Sequence, residues 1–400
     1  MSLFSGLALA PRDPVLGIKE AYLADPRPDK VNLGVGVYLD ESGAIPLLDC
    51  VREAEARLAD NPAPWDYLPI DGLPAYTAAV KGLVFGAGSA LVDRGRVVTV
   101  QGLGGTGGLR IGAGLLRLAS PAARVLISAP SWENHEAVFT RAGFAVGHYA
   151  YYGKARQGVD VGAMVADLAA AEPGTIVVLH ACCHNPTGYD LAPADWRRVL
   201  DVVQERNLTP FLDMAYQGFG QGVEQDAAAV RLFADAGLCF LVATSFSKSF
   251  SLYGERVGAL SVVAASAKEA ARVLSQAKVV IRTLYSNPPT HGAALVATVL
   301  SDAELRARWD DELRAMRERI ASMRVALRAG LEEAGLPKDF SFITRQVGMF
   351  SYCGLAKAQM ERLRRDFGVY GLDSGRLCMA GLNDANLGAV VEAIARVVTT

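Results

Sequence analysis

Between residues 96 and 243 the chain repeats one pattern: a short unbroken apolar run, a cluster of small or polar residues, then a stretch of helical periodicity. The runs cover 96–101, 124–128, 175–180, 210–212 and 239–243. Continuous apolar runs alternating with helices predict a parallel sheet covered on both faces. In such sheets ligands bind beyond the carboxyl ends of the strands. Behind the first run stands a glycine loop, 102–108, with a helix expected from Leu109. The others lead into Trp132-Glu133-Asn134-His135, His184-Asn185-Pro186, Asp213-Met214-Ala215-Tyr216 and Ser245-Phe246-Ser247-Lys248. Every unusual cluster follows a strand, which predicts one composite site.

Outside this region the pattern predicts helices over 15–24, 48–60, 302–330 and 359–366, and a last one reaching Val398. Residues 31–38 alternate glycine with β-branched residues, as where backbone approaches a ligand or another chain. The charged 302–330 helix reads as a connection into a second domain. The division expected is an N-terminal arm over 1–14 marked by Pro11 and Pro14, a large domain over 48–314, and a small domain from 15–47 and 315–400.

Four hundred residues are too many for one small core, in keeping with two domains. With 51% apolar and 20% charged residues the chain is globular and not disordered. A net charge of -2, from 40 basic and 42 acidic residues, gives no basic excess for nucleic acid or an anionic membrane. The first residues lack a basic region followed by an apolar core, so no secretory signal is expected. No run approaches the roughly 20 apolar residues of a membrane span. Six cysteines, including the adjacent Cys182-Cys183, form no disulfide framework, which fits a reducing cytoplasm.

Several residues carry candidate chemistry. Gly102, Gly104 and Gly107 match a dinucleotide fingerprint, but the next strand ends Ile127-Ser128-Ala129-Pro130 without the carboxylate that fingerprint needs. A single phosphate on Gly104, Gly105 and Thr106 fits better. His180, Cys182, Cys183 and His184 suggest a metal, yet no Cys-x-x-Cys pair completes a ligand set and neighbours in an extended segment point to opposite faces. Packing, with no metal, is expected there. Asp213 ends an apolar strand, where a carboxylate is costly unless paired. It suits a helix cap, or a pyridinium nitrogen in a cofactor held through a lysine Schiff base. Lys248 lies among four serines, with Arg256 eight residues on. Hydroxyls and a guanidinium fork suit a phosphate, while an ordinary loop lysine fits the stretch equally. Arg282 and Arg376, each taken alone, read as internal salt-bridge partners.

In order along the chain these stretches resemble the class I pyridoxal-phosphate aminotransferases, in the aspartate/aromatic-amino-acid branch. The resemblance is carried by residues 32–38, 67–72, 104–107, 131–135, 184–188, 213–219, 245–248, 285–289, 348–351 and 374–376. It implies an α/β fold of the type I transferases dependent on pyridoxal 5′-phosphate: a large domain with a mainly parallel sheet covered by helices, plus a smaller α+β domain. It implies a Lys248 Schiff base, with the freed lysine as the base that moves the proton from Cα. Asp213 would hold the pyridine nitrogen, with His135 behind it. Asn185 and Tyr216 would bond the phenolic oxygen, and Trp132 would stack on the ring. Gly105, Thr106, Ser245 and Arg256 would hold the phosphate, helped by Tyr67 from a second copy of the chain. On the substrate side, Gly36, Trp132 and Asn185 would line the pocket and Arg376 would grip the α-carboxylate. Arg282, again from the second copy, would read a distal carboxylate. The implied protein is a cytoplasmic homodimer that moves the amino group of an aromatic amino acid or aspartate to 2-oxoglutarate.

The form Trp132-Glu133-Asn134-His135 and the run 250–256 lean toward the bacterial aromatic enzymes. Two positions depart from the family pattern: Leu284, where Asn is common, and Gly108, where Ala is common. Leu284 removes a polar neighbour of Arg282, which favours apolar substrates. A lyase or decarboxylase on the same fold is disfavoured by two carboxylate-reading arginines, and a non-catalytic binding module by the presence of both Lys248 and Asp213.

Overall fold

The computed structural model describes every residue except Met1, Pro11, Arg12, Pro14, Ala63, Trp65 and Thr400. Pro11 and Pro14, expected to mark an arm, lie outside the described residues. The centre is a seven-stranded sheet. Its strands in chain order are β1 (Val97–Leu103), β2 (Arg124–Ala129), β3 (Ala145–Ala150), β4 (Ile176–His180), β5 (Thr209–Met214), β6 (Phe240–Ser245) and β7 (Val257–Val263). In space they lie β1-β7-β6-β5-β4-β2-β3. All run parallel except β7, which is antiparallel to both its neighbours, β1 and β6.

All five expected runs are strands. β3 and β7 are additions. β3 is an edge strand with exposed positions at Ala145 and His148, so it shows no continuous apolar run. β7 begins at Val257, directly after the stretch from Lys248 to Arg256. Alternate residues of the inner strands feed two cores, one on each face. Val177, Leu179, Leu212 and Val242 belong to one; Ile176, Val178, Phe211 and Leu241 belong to the other. Burial on both faces is why these strands read as unbroken apolar runs.

The helix expected from Leu109 begins earlier. Helix α1 spans Gly104–Ala119 and takes in most of the glycine loop. Propensity argues against a helix of glycines, but packing decides otherwise. A Cβ at Gly108 would lie 2.6 Å from the Ala259 carbonyl oxygen in β7, so only glycine lets α1 approach the sheet this closely. Alanine there would gain about 1 kcal/mol of helix propensity, against about 1–3 kcal/mol for overpacking onto backbone. Gly108→Ala is therefore expected to lower the thermal unfolding midpoint. An unchanged or higher midpoint would mean that the helix can shift freely.

Three further helices matter to the site: α2 (Glu133–Arg141), α3 (Ala267–Leu284) and α4 (Ala303–Glu333). Asp302 caps α4, accepting from the N–H groups of Glu304 and Leu305 at 2.9 Å each. Its buried stripe, Leu305, Trp309, Leu313, Met316, Ile320, Met323 and Leu327, has the three- and four-residue spacing of a core-facing helix. The helix runs unbroken through 314/315, so no linker marks the boundary expected there. Beyond the main sheet, Val31–Asn32 pairs in parallel with Val369–Tyr370, and Phe350–Tyr352 pairs antiparallel with Arg376–Cys378. Among the described residues no helix is long and apolar enough to cross a membrane.

Candidate active site

The sheet topology gathers the site. The parallel strands end at one rim and deliver the start of α1, Trp132, Asn185, Asp213 and Lys248 there. Because β7 runs the other way, its first residues lie at the same rim, with Val257 opposite Leu103 and Gly258 opposite Ser245. Arg256 thereby comes beside Gly104, whose N–H donates to the Arg256 carbonyl at 2.8 Å. The rim encloses a cavity of about 240 Å³. Gly36, Gly105, Thr106, Trp132, Asn185, Asp213, Tyr216, Ser245, Lys248, Arg256 and Arg376 line it, all of them anticipated from sequence.

One end of the cavity is built for an anion. The first N–H groups of α1 point there without helical partners, and the helix dipole favours negative charge. Ser245 and Ser247 add hydroxyls, and Arg256 Nη1 donates to Ser247 Oγ at 3.2 Å. Gly104 has φ of 65°, and a Cβ on it would lie 2.5 Å from Arg256 Nη2. Glycine is required for the guanidinium to close over this helix start.

Lys248 sits in a turn fixed from several sides. Phe246 N–H donates to the Val257 carbonyl at 3.0 Å, Phe250 N–H to the Phe246 carbonyl at 3.2 Å, and Trp309 Nε1 of α4 to the Ser249 carbonyl at 2.7 Å. The Lys248 ammonium lies 4.9 Å from the centre of the Tyr216 ring. Burial pulls its pKa down to about 8; Asp213 opposes this, while Arg256 and Arg376 add to it. A lowered pKa makes the neutral amine available near physiological pH. A small acylating reagent added to the cofactor-free protein should therefore label Lys248 with a midpoint at about pH 8 rather than the ordinary 10.5. Labelling followed by mass spectrometry reads this directly, and a midpoint shared with the surface lysines would contradict it.

Asp213 is buried, at 4% exposure, and its Oδ2 meets His135 Nε2 at 2.8 Å. Ser131 Oγ holds the other ring nitrogen of His135 at 2.9 Å, which fixes the imidazole. Burial alone would raise the Asp213 pKa, but the His135 hydrogen bond and nearby positive charge, including Lys248, hold it below the ordinary value. Asp213 is thus an anion, and its Oδ1 accepts no hydrogen bond among the described residues. Burial pushes the Tyr216 phenol far up, so Tyr216 stays protonated and can donate.

Arg376 is 2% exposed. Its Nη1 donates to Asn185 Oδ1 at 3.0 Å and Nη2 to the Gly34 carbonyl at 2.7 Å, while its guanidinium lies 4.2 Å from the Phe350 ring centre. Its Nε is buried with no partner, and among the described residues no carboxylate pairs with it. A buried cation held only by neutral groups lacks its counter-ion.

A sequence profile described as "Aminotransferase class I and II" matches residues 28–394. The chain belongs to this aminotransferase family. It is 57% identical over 397 residues to an aspartate aminotransferase of Pseudomonas aeruginosa, covering 99% of this chain and 100% of that one. It is 49% identical over 386 residues to an aromatic-amino-acid aminotransferase of Escherichia coli, covering 96% and 97%. Among solved structures, the aromatic-amino-acid aminotransferase of Burkholderia pseudomallei, covalently bound to pyridoxal phosphate, superposes with a TM-score of 0.97 at 60% identity, covering all of both chains.

Two expected site residues of the aminotransferase lie away from the cavity of a single chain. Tyr67 is 87% exposed. Arg282, near the end of α3, is exposed and donates to Ser286 Oγ. The internal salt bridges considered for Arg282 and Arg376 are not formed among the described residues: a serine and neutral acceptors, respectively, take their place. Ser247, one of the serines whose hydroxyls were expected to suit a phosphate, also lines the cavity, as do His180, Tyr253 and Phe350, which were not assigned to the site from sequence. Burial lowers the His180 pKa to about 3, so its ring is neutral. Tyr253 Oη accepts from the Tyr38 N–H at 2.8 Å, tying the lysine turn to the end of the glycine-alternating segment 31–38. No local spacing announces these residues. The four residues weighed as metal ligands do not form one ligand set: the His180 and His184 rings pack with centres 4.3 Å apart, but the His184 nitrogens meet Ser128 and Thr187, His180 lies with His135 and Asp213, and the thiols lie with Asp226.

Proposed function

We propose that this pyridoxal-phosphate-dependent aminotransferase moves the amino group of an aromatic amino acid or aspartate to 2-oxoglutarate, in a ping-pong cycle carried by Lys248. The observation that carries the reading is the unpaired, buried Arg376 facing the same cavity as Lys248 and Asp213. It is a bidentate carboxylate receptor placed next to a base.

The cavity fits pyridoxal phosphate by its donor set. The helix start at Gly105 and Thr106, with Ser245, Ser247 and Arg256, would take the phosphate. Asp213, anionic with one oxygen unbonded, would keep the proton on the pyridine nitrogen, and His135 would brace it. Asn185 and the protonated Tyr216 would serve the phenolic oxygen, and Trp132 would cover the ring. When bound, the cofactor supplies an electron sink for the negative charge left at Cα. Arg376, with Asn185 and Gly36 beside it, would orient the substrate through its α-carboxylate so that the Cα–H faces Lys248. Lys248 would take that proton as a neutral amine and return it on the other side of the exchange.

A homodimer completes this site. Tyr67 and Arg282 are exposed here, and two copies related by a two-fold axis could each lend them to the other's cavity. Exposed Leu3, Phe4, Leu7 and Leu9 near the N-terminus supply further apolar surface for such a contact. All six cysteines are unpaired, which accords with a cytoplasmic setting.

The second reading, an aspartate enzyme with little aromatic activity, is favoured by the 57% identity to the Pseudomonas aeruginosa protein. A kcat/KM panel with aspartate, tyrosine, phenylalanine and tryptophan separates the two. Aromatic values within about tenfold of aspartate support the broad reading; a gap of 1.4 kcal/mol per decade extended over three or more decades supports the strict one. Leu284 ends α3 two residues from Arg282. Leu284→Asn is expected to shift the aspartate-to-phenylalanine ratio toward aspartate by about fivefold, the worth of one polar contact. An unmoved ratio would remove Leu284 from the specificity argument.

A further inference from the structure

Cys182 and Cys183 follow β4 and take no part in the chemistry described above. Both are buried, at 4% and 2% exposure. Neighbours in an extended segment point to opposite faces, which led to the expectation of packing alone. Cys183, however, has φ of 50°, in the left-handed region. That turn breaks the alternation and lets both sulfurs face the same neighbour, Asp226. The two Sγ atoms and an Asp226 carboxylate oxygen all lie within 4.8 Å of one another.

The cluster is held in place from outside. Asp226 Oδ2 accepts from the N–H groups of Gly218 at 2.8 Å and Gly220 at 2.9 Å, and Oδ1 from that of Gln221 at 2.8 Å. With a single donor, Oδ1 keeps a lone pair. Asp190 accepts from the Cys183 N–H at 2.6 Å. Cys182, Asp190 and Asp226 also line a second cavity of about 410 Å³. It shares no residue with the transamination cavity and provides a way in.

We propose that Cys182, Cys183 and Asp226 form a site for a soft or borderline divalent cation such as Zn²⁺ or Cd²⁺, with water from the second cavity as the fourth ligand. Two sulfurs and one carboxylate oxygen select such ions over Mg²⁺ and Ca²⁺, which take oxygen ligands. On binding, two S–H bonds break, two metal–sulfur bonds form and two protons leave to solvent, with no change of oxidation state. The site touches the transamination machinery: Cys183 Sγ lies 3.7 Å from the Tyr216 carbonyl, and Asn185 is two residues further on.

The test titrates Cd²⁺ into the reduced, cofactor-loaded protein. It follows the ultraviolet thiolate-to-cadmium charge-transfer band and counts bound metal by equilibrium dialysis. One tightly bound equivalent with a thiolate band is expected, and Mg²⁺ should not displace it. Cys182→Ser should remove the band, and Asp226→Asn should weaken binding about tenfold. Cys239→Ser, which removes the exposed thiol, should leave both readouts unchanged. Retained cofactor absorbance reports that each variant is folded; should Asp226→Asn fail to fold, the near-isosteric Cys182→Ser decides alone. No band in the unsubstituted protein, or a band that survives Cys182→Ser, overturns the proposal.

Discussion

Lys248→Ala should abolish transamination, lowering kcat by at least about 10⁴-fold, because one side chain serves as both covalent anchor and proton base. The alanine removes neither the anion-binding end of the cavity nor Asp213. Pyridoxal phosphate should still bind, but reversibly, and dialysis should remove it. The Lys248 turn is held by backbone bonds and by Trp309, not by the ammonium, so the fold should persist. It should even gain slightly near neutral pH. The lysine pKa lies at about 8 in the fold against an ordinary 10.5, so below about pH 8 the native state carries a buried charge it disfavours. That penalty fades as the pH rises from about 8 toward 10.5, and its pH dependence should vanish in the alanine variant. Turnover measured by coupled assay is decisive: residual activity within about 100-fold of the unsubstituted protein would remove Lys248 from its proposed role.

Asp213→Asn is expected to cost about 10²–10³ in kcat, the worth of one preorganised electrostatic contact in a water-poor site. The carboxamide preserves shape and can still hydrogen-bond His135, but it carries no negative charge. It therefore cannot hold a proton on the pyridine nitrogen. The loss should fall on kcat, with cofactor affinity reduced less, since the phosphate contacts at Gly105, Thr106, Ser245 and Arg256 remain. A visible-absorption titration with pyridoxal phosphate separates the two effects. A variant with unchanged kcat would show that the Asp213 charge does not act on the reaction, and that the residue only fixes His135.

Much of this was legible along the chain. The five apolar runs were legible because strands buried on both faces leave no polar positions to interrupt them. The residues placed after those runs could be assigned to one site because parallel strands must end at one rim. The edge strand β3 escaped because Ala145 and His148 face solvent and only Tyr149 is fully buried, so no apolar run forms. The early start of α1 escaped because a run of glycines opposes helix locally, and only the closeness of Ala259 in β7 reveals what the glycines accomplish. Cys182 and Cys183 were set apart by a rule of alternation that a single left-handed residue suspends.

The sequence by itself determined the fold class, the family and the chemical types at the site, since these rest on periodicity and on short ordered motifs. The tertiary structure alone decided which charges have partners. Arg376 could have met a carboxylate anywhere in the chain; it meets Asn185, 191 residues away, and Gly34, 342 residues away, and remains unneutralised. The Lys248 pKa likewise depends on Asp213, Arg256 and Arg376 coming together in a buried cavity. Charge pairing and desolvation act over a few ångströms in space, and no local pattern in a chain records which distant residues will lie that close.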